Sequence, residues 1–445
     1  MSAPTRRVAR APAAATTAPG AGVLALALLC LVYGALALLW AEPGSDVVLA
    51  TAGGSPDWLL GPLRLAGQPF ADGPLSGPLF YAGLWLALLL YGAVLLRARE
   101  ISPRLALGAI GGLHLLFLLA PPLLSQDVFS YIAYARLGVE HGLSPYAHAP
   151  LDIPADPVFP YAGSKDAVSV YGPAFTLLTY PLAPLGVPAA FWVLKLVAAA
   201  ASLGIVALVW RACRRLGRDP VAPALFVGLN PHVLVHVVAG AHNEALVMLV
   251  ATAGVVLFLV GGREAGGTAL TTAASALKAS AALAVPYLVA GARRLRPALA
   301  AAAATALGIA ALAFAGFGAD ALDALGLLSS NQERTSRFSF PYKTAELLGA
   351  LLPGDRLDYR DAVRLAWAAA FACVAAWLLW RTWRGRIAPV AAAGWATAAV
   401  LVASAWLVPW YALWLLPLAA LAGDRRLWLA AFALSAWMLA IAVPL

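Results

Sequence analysis

The chain has 445 residues, 62% of them hydrophobic and only 11% charged, with a mean hydropathy of +0.83. A soluble domain carries about 25% charged residues, so this chain cannot cover its own surface in water. Its net charge of +9 does not point to nucleic acid either, because the arginines stand in short clusters between apolar runs, the pattern that sets membrane topology. Cys30, Cys213 and Cys373 lie in or beside apolar runs without CxxC spacing, which speaks against a disulfide framework and a zinc site.

Residues 1–21 read as a disordered cytoplasmic N-terminus by composition, and 22–445 as a single transmembrane domain. The run Val23–Trp40 is longer than a usual signal-peptide core and has no clear A-x-A site, so it predicts an uncleaved first span. Apolar runs follow at 77–97, 104–124, 188–210, 221–238, 243–261, 297–315, 362–380, 388–408, 410–422 and 427–444. Runs of about 18 or more residues cross a hydrocarbon core, so the chain is an all-α polytopic membrane protein of about 11–13 transmembrane helices.

The clusters Arg6/Arg7/Arg10, Arg97/Arg99/Arg104, Arg211/Arg214/Arg215/Arg218, Arg293/Arg294/Arg296, Arg381/Arg384/Arg386 and Arg425/Arg426, with Arg263, all fall on one side of these spans. They hold nineteen of the 30 basic residues, yet only Glu100, Asp219, Glu264 and Asp424 of the 21 acidic residues join them. The positive-inside rule makes that side cytoplasmic. The long segments 41–76, 125–187 and 318–361 then lie outside, with the C-terminus.

Two stretches do not fit simple spans. Residues 171–187 are read as an outer-face helix or re-entrant segment, because a span there would put the Arg211–Arg218 cluster outside. Residues 266–290 are interrupted by Lys278, and a lysine in mid-span costs about 2.5–3.5 kcal/mol. Two short helices turning near Lys278, with both ends cytoplasmic, resolve this.

Three outer stretches carry candidate chemistry. In Ser125–Tyr146 a helix would align Asp127, Tyr131 and Tyr134 on one face, with Phe129, Ile132, Ala133 and Arg136 on another. That predicts an amphipathic helix lying on the membrane, ended by Gly138 or Gly142 and Pro145. Asp127 is then either a base for an acceptor hydroxyl or a helix cap. In Leu229–Glu244, Pro231 breaks a span and His242-Asn243-Glu244 opens the next. Asn243 as N-cap with Glu244 in the first turn is the structural reading, and a polar site at the lipid border the functional one. His232 and His236 are spaced i, i+4 but have no third ligand, so no metal site is predicted.

In Ser329–Lys343 the outer cations Arg334, Arg337 and Lys343 run against the topology rule. They are placed to hold a lipid-linked phosphate, or to pair with Glu333, Glu346 or anionic headgroups. Lys278 has the same alternatives. Trp406, Trp410, Tyr411 and Trp414 read as an interfacial aromatic belt, although aromatic faces also suit sugars.

The stretches SQDVFSYIAYARLGVEHGLSPY (125–146), VYGP (170–173), LNPHVLVHVVAGAHNEALV (229–247) and PWYALWLLPLAAL (409–421), in this order, resemble the bacterial GT-C glycosyltransferases. They look closest to the actinobacterial polyprenol-phosphate-mannose-dependent α-1,6-mannosyltransferases that extend cell-envelope mannans. The family usually reads HND where this chain has His242-Asn243-Glu244, and the first 120 residues match only in hydropathy.

The resemblance implies a GT-C-type fold in the plasma (inner) membrane, with its active site on the outer face. It implies a polyprenyl-phosphate-linked sugar donor, foremost mannose, and a glycan or glycolipid acceptor, with direct transfer and inversion. Asp127 matches the family's general base. Tyr131, Arg136, Tyr171, His242, Asn243, Glu244, Lys278, Arg334, Arg337, Lys343, Trp410 and Tyr411 make up the expected substrate-binding set. No permanently bound cofactor, divalent metal or nucleic acid is expected, and the chain has no GxGxxG or P-loop stretch for a nucleotide. Two alternatives stand beside it: a transporter or flippase of lipid-linked or envelope precursors, which would place ionisable groups near the midplane with Lys278 the best candidate, and a non-catalytic envelope assembly protein, which would need no convergence of Asp127, Glu244 and Arg334.

Overall fold

The computed structural model describes residues 20–41, 45, 47–48, 55–66, 76–322, 335–337 and 339–441. Among them every extended element is helical, apart from one antiparallel bridge between Val48 and Leu123. Hydrocarbon offers no partner for backbone N–H and C=O groups, so a spanning chain satisfies them within helices. The principal helices are α1 (Ala21–Leu38), α2 (Ser76–Leu96), α3 (Pro103–Leu119), α4 (Asp127–Glu140), α5 (Pro173–Thr179), α6 (Gly186–Arg215), α7 (Val221–Gly228) and α8 (Glu244–Val260). They continue with α9 (Glu264–Ala274), α10 (Val285–Gly291), α11 (Leu295–Phe317), α12 (Phe340–Leu351), α13 (Arg356–Trp383), α14 (Pro389–Ala403), α15 (Ala412–Ala422) and α16 (Arg425–Ile441). Residues 1–19 of the expected disordered 1–21, much of segment 41–76 and residues 323–334, Arg334 included, fall outside the described residues, whereas Ala21 already opens α1.

Among the described residues, five helical stretches are long and apolar enough to cross a membrane: Ala21–Leu38, Gly77–Leu96, Pro173–Arg215, Leu295–Phe317 and Arg356–Trp383. A sixth forms if Val221–Gly228 and the π-helical turn His232–Ala239, bent by 52° around Pro231, count as one broken span. The expected spans thus resolve into five or six full-length ones, with shorter apolar helices packed among them. Run 104–124 stops as a helix at Leu119, because Pro121 and Pro122 follow and a residue before proline avoids the α conformation.

Both irregular stretches contain a break in the helical path. Residues 173–185 form α5 and a 3-10 turn packed against α4, and Gly186, at φ 77°, breaks them from α6. In 264–294, Lys278 is extended (φ −159°, ψ 128°) between α9 and a 3-10 turn that leads into α10. The Glu264 carboxylate accepts the N–H groups of Arg293 (2.8 Å) and Arg294 (3.4 Å), so the two ends of the segment meet and Lys278 is the tip of a hairpin.

The arginine-rich ends also find one another. Gly22 N–H donates to Glu100 (2.7 Å), tying the start of α1 to the loop after α2. Arg218 donates to the Leu421 carbonyl (2.9 Å), tying the end of α6 to the end of α15.

One expectation fails. Helix α4 is not an amphipathic helix with one face exposed; Val128 through Ala135, and Leu137, are buried. Its Tyr131 face meets Tyr171 and Phe175 edge-on, at 4.8 and 5.0 Å between ring centroids. On the opposite face Phe129 stacks on Phe191 (5.6 Å, 5° between planes) and meets Trp58 and Tyr161. Aromatic side chains on both faces of α4 find protein partners, which the helical spacing alone could not distinguish from lipid. The helix runs through Gly138, where any Cβ would strike the Tyr180 ring, and stops at Glu140.

Arg136 and His141 fasten α4 to the following loop through the buried Asp156, at 2.8 Å each, and Arg136 also donates to the Ala183 carbonyl. Burial pushes the Asp156 carboxyl up, but hydrogen bonds from Arg136, His141 and the Val158 N–H, with the Arg136 charge, outweigh it and hold it below its ordinary range. A depressed carboxyl contributes stability above its unfolded pKa and loses it as pH falls through the folded value. Asp156→Asn should therefore lower unfolding stability by about 3 kcal/mol at neutral pH. Thermal unfolding in detergent should show the deficit narrowing as pH drops below about 4, the unperturbed aspartate range.

Candidate active site

Two backbone distortions build the site. Among the described residues, Leu124 (φ 61°) and Ala241 (φ 54°) are the non-glycine residues with positive φ. Such conformations cost of order 1–3 kcal/mol and persist where the surroundings impose them. Leu124, held by its N–H to the Val47 carbonyl (2.9 Å), turns the chain into Asp127. Ala241 closes the π-helical turn, where His242 N–H reaches the Val237 carbonyl (3.0 Å), and delivers His242 and Glu244 to the same place. π-Helical turns are rare and concentrate at functional sites.

Asp127 opens α4 and is not its cap; that position is held by Gln126. Its side chain, 36% exposed, faces a cavity of about 420 Å³. Tyr171, Lys278, Trp410 and Tyr411 line the same cavity, with Tyr134, Trp406 and Trp414. Five expected site residues, from four separate stretches of sequence, thus share one space. Asp127 is the one carboxylate on the cavity wall and Lys278 the one cation, among the described residues.

A second layer lies behind the wall. His242 is fully buried, its ring stacked on Trp410 at 3.9 Å. Its Nδ1 stands 3.5 Å from Asp127 Oδ2 and 3.8 Å from Glu244 Oε2. Glu244, also fully buried, pairs through Oε1 with Lys278, whose ammonium lies over the rings of Tyr171 (5.7 Å), Tyr411 (5.2 Å) and Trp414 (5.9 Å). Asn243 occupies the N-cap of α8, but its side chain makes no cap bond; its N–H donates to the Tyr131 hydroxyl (3.3 Å).

The VYGP stretch explains itself here. Gly172 N–H and Ala174 N–H donate to the carbonyls of Leu277 (3.0 Å) and Ala276 (2.9 Å), docking this turn onto the hairpin tip. A Cβ at Gly172 would come within 2.2 Å of the Ala276 carbonyl oxygen, so only glycine permits the approach that sets Tyr171 over Lys278. Pro173 then starts α5, at the helix position where its missing N–H costs nothing.

Not every candidate converges. Arg136 is committed to Asp156 and does not line the cavity. Lys343 is engaged by Glu346 at 2.7 Å, the local pairing that its spacing allowed. Arg337 is exposed, though its neighbour Ser336 is bonded to the cavity rim through the Ala405 carbonyl (2.9 Å) and the Leu407 N–H (3.1 Å). Tyr131, His242, Asn243 and Glu244 sit behind the wall instead of on it. The aromatic cluster 406–414 forms cavity wall, and Tyr411 stacks on Trp414 at 3.9 Å. Sequence reasoning overlooked Ser164, Ala167, Ser280 and Ser404, small wall residues that carry no pattern of their own. Among the described residues, no group of three or more His, Cys, Asp or Glu is placed to hold a metal ion.

Comparison with known proteins gives this geometry a family. Residues 72–294 match the profile described as "Alpha-(1->6)-mannopyranosyltransferase, N-terminal domain", and 347–445 the profile "MptB C-terminal domain". The chain is 33% identical over 353 residues to "Alpha-(1->6)-mannopyranosyltransferase A" of Mycobacterium tuberculosis, covering 74% of this chain and 67% of that protein. The chain belongs to the alpha-(1->6)-mannopyranosyltransferase family.

Shorter similarities tie it to other mannopyranosyltransferases. One is the Corynebacterium glutamicum enzyme of the same name, 29% identical over 38% of this chain and 35% of that protein. Another is a probable alpha-(1->6)-mannopyranosyltransferase of Mycolicibacterium smegmatis, 34% identical over 31% of this chain and 26% of that protein. No solved structure matches the chain. The first profile spans Asp127, Tyr171, the His242–Glu244 layer and Lys278, so the mannopyranosyltransferase match and the cavity coincide.

Proposed function

We propose that this protein transfers a mannosyl residue from a polyprenyl-phosphate-linked donor to a glycan or glycolipid acceptor of the cell envelope, on the outer face of the plasma membrane and with inversion. The observation that carries this reading is the cavity wall itself: one carboxylate and one cation among aromatic faces. Asp127 takes the proton of the acceptor hydroxyl as that oxygen attacks the anomeric carbon. Lys278 stabilises the charge that develops on the departing phosphate. Trp406, Trp410, Tyr411 and Trp414 present apolar faces to the sugar. With Glu244 fully buried, Asp127 is the one carboxylate on the wall among the described residues, an arrangement that supports direct displacement. About 420 Å³ is within the size range of small-ligand pockets.

The segregation in the sequence of the arginine clusters from the stretches that line the cavity supports an outward-facing site and a cytoplasmic N-terminus. A cysteine at Ser164, on the cavity wall, should react with an impermeant thiol reagent in intact cells, and one at Gly385 should not. The reverse pattern would invert the topology.

The function is tested by giving purified protein polyprenyl-phosphate-mannose, GDP-mannose and a mannoside acceptor. Transfer from the lipid donor, with a product of opposite anomeric configuration, is the expected result. Transfer from the nucleotide donor alone would refute the lipid-donor assignment.

A further inference from the structure

We infer that His242 relays the acceptor's proton from Asp127 to Glu244, and that this frees Lys278 for the departing phosphate. The inference rests on the transfer reaction above and gives roles to the buried layer that this reaction leaves unused.

A single atom links the two carboxylates. His242 Nδ1 lies 3.5 Å from Asp127 Oδ2 and 3.8 Å from Glu244 Oε2, slightly beyond hydrogen-bond range, so small rotations close each contact in turn. Glu244 divides its oxygens: Oε1 holds Lys278, while Oε2 is buried without a hydrogen-bond partner, as is Nδ1 of His242. Buried polar atoms are normally satisfied, and an orphaned pair facing each other marks a place where a proton is at times present. Tyr131, Tyr171, Tyr411 and His236 are the other titratable groups facing this cluster, which leaves Glu244 as the carboxylate in reach of Nδ1.

The balance closes without a co-reactant. As the bond between anomeric carbon and phosphate oxygen breaks, its electron pair leaves with the phosphate. The acceptor oxygen bonds the anomeric carbon and its proton passes to Asp127. Asp127 gives that proton to Nδ1, and the imidazolium gives it to Glu244 Oε2. Neutral Glu244 no longer holds Lys278, whose charge turns to the negative charge newly formed on the phosphate. A buried ion pair is strong only while both partners are charged, so protonating one end is an effective release. When the lipid phosphate departs, Lys278 returns to Glu244 and the proton leaves through the partly exposed Asp127.

The test is a kcat and donor-KM comparison of Glu244→Gln, His242→Phe and the double variant, using polyprenyl-phosphate-mannose. In Glu244→Gln, Lys278 has lost its counter-charge and the proton its terminus, so donor KM should fall about threefold while kcat drops at least about tenfold. His242→Phe should lower kcat similarly and leave donor KM unchanged. The double variant should be no slower than the slower single one, because both break one chain. A raised donor KM in Glu244→Gln, unaltered kcat in either variant, or losses that multiply would overturn the relay. Should Glu244→Gln not fold, His242→Phe decides alone: more than half of wild-type kcat would overturn it. Wild-type protein that turns over no lipid donor would instead overturn the transfer reading itself.

Discussion

Asp127→Asn should abolish mannosyl transfer while leaving insertion, folding and donor binding intact. The amide keeps the shape of the side chain at the start of α4 and can still accept hydrogen bonds, but it cannot take a proton from the acceptor. Loss of a general base costs about 10²–10⁴-fold in rate. The fold should not suffer, because Gln126 and not Asp127 holds the cap position and the Asp127 side chain is 36% exposed. Steady-state rates with lipid-linked donor, beside size-exclusion profiles in detergent, would check this. A variant with more than half of wild-type turnover would reduce Asp127 to a wall residue.

Lys278→Gln should cost both stability and activity, a combination that separates it from Asp127. Glu244 is fully buried and its ion pair is with Lys278, so removing the cation leaves a buried carboxylate uncompensated. Breaking a buried pair from one side destabilises by about 3–5 kcal/mol. Losing a donor that stabilises transition-state charge lowers kcat by about 10²–10³-fold. Lys278→Gln/Glu244→Gln should regain most of the stability, since no charge is stranded, and little of the activity. Thermal unfolding and kcat measured on the same preparations would distinguish the two losses. Recovery of both in the double variant would show that Lys278 serves the fold alone.

The sequence displays the parts of this molecule whose physics is local. Arginine clusters and a mid-run lysine were enough to place the hairpin tip at Lys278, because the cost of a lone cation in hydrocarbon is local. Asp127, His242 and Glu244 were legible as polar residues at the ends of apolar runs, Trp410 as one of an aromatic cluster, and Tyr171 only through the family resemblance of VYGP. Their division into wall and second layer was not, since it depends on Ala241 and Leu124 adopting positive φ, which neither residue type suggests. The partner of Arg136 was equally hidden. Asp156 lies in a loop without periodicity, so Arg136 looked available for substrate until the fold brought the two together. The surface-helix reading of 127–140 failed for a related reason: an apolar face looks the same in sequence whether lipid or Phe191 covers it.

The most direct test of the account asks whether the lipid-linked sugar occupies the cavity. Ser404, on the cavity wall, would be replaced by cysteine in protein whose Cys30, Cys213 and Cys373 have been changed to alanine. Its rate of modification by a small thiol reagent would then be followed against polyprenyl-phosphate-mannose concentration. Protection should saturate with the donor concentration supporting half-maximal transfer, and should persist with Asp127→Asn added. An unchanged modification rate at donor concentrations that saturate transfer would contradict it.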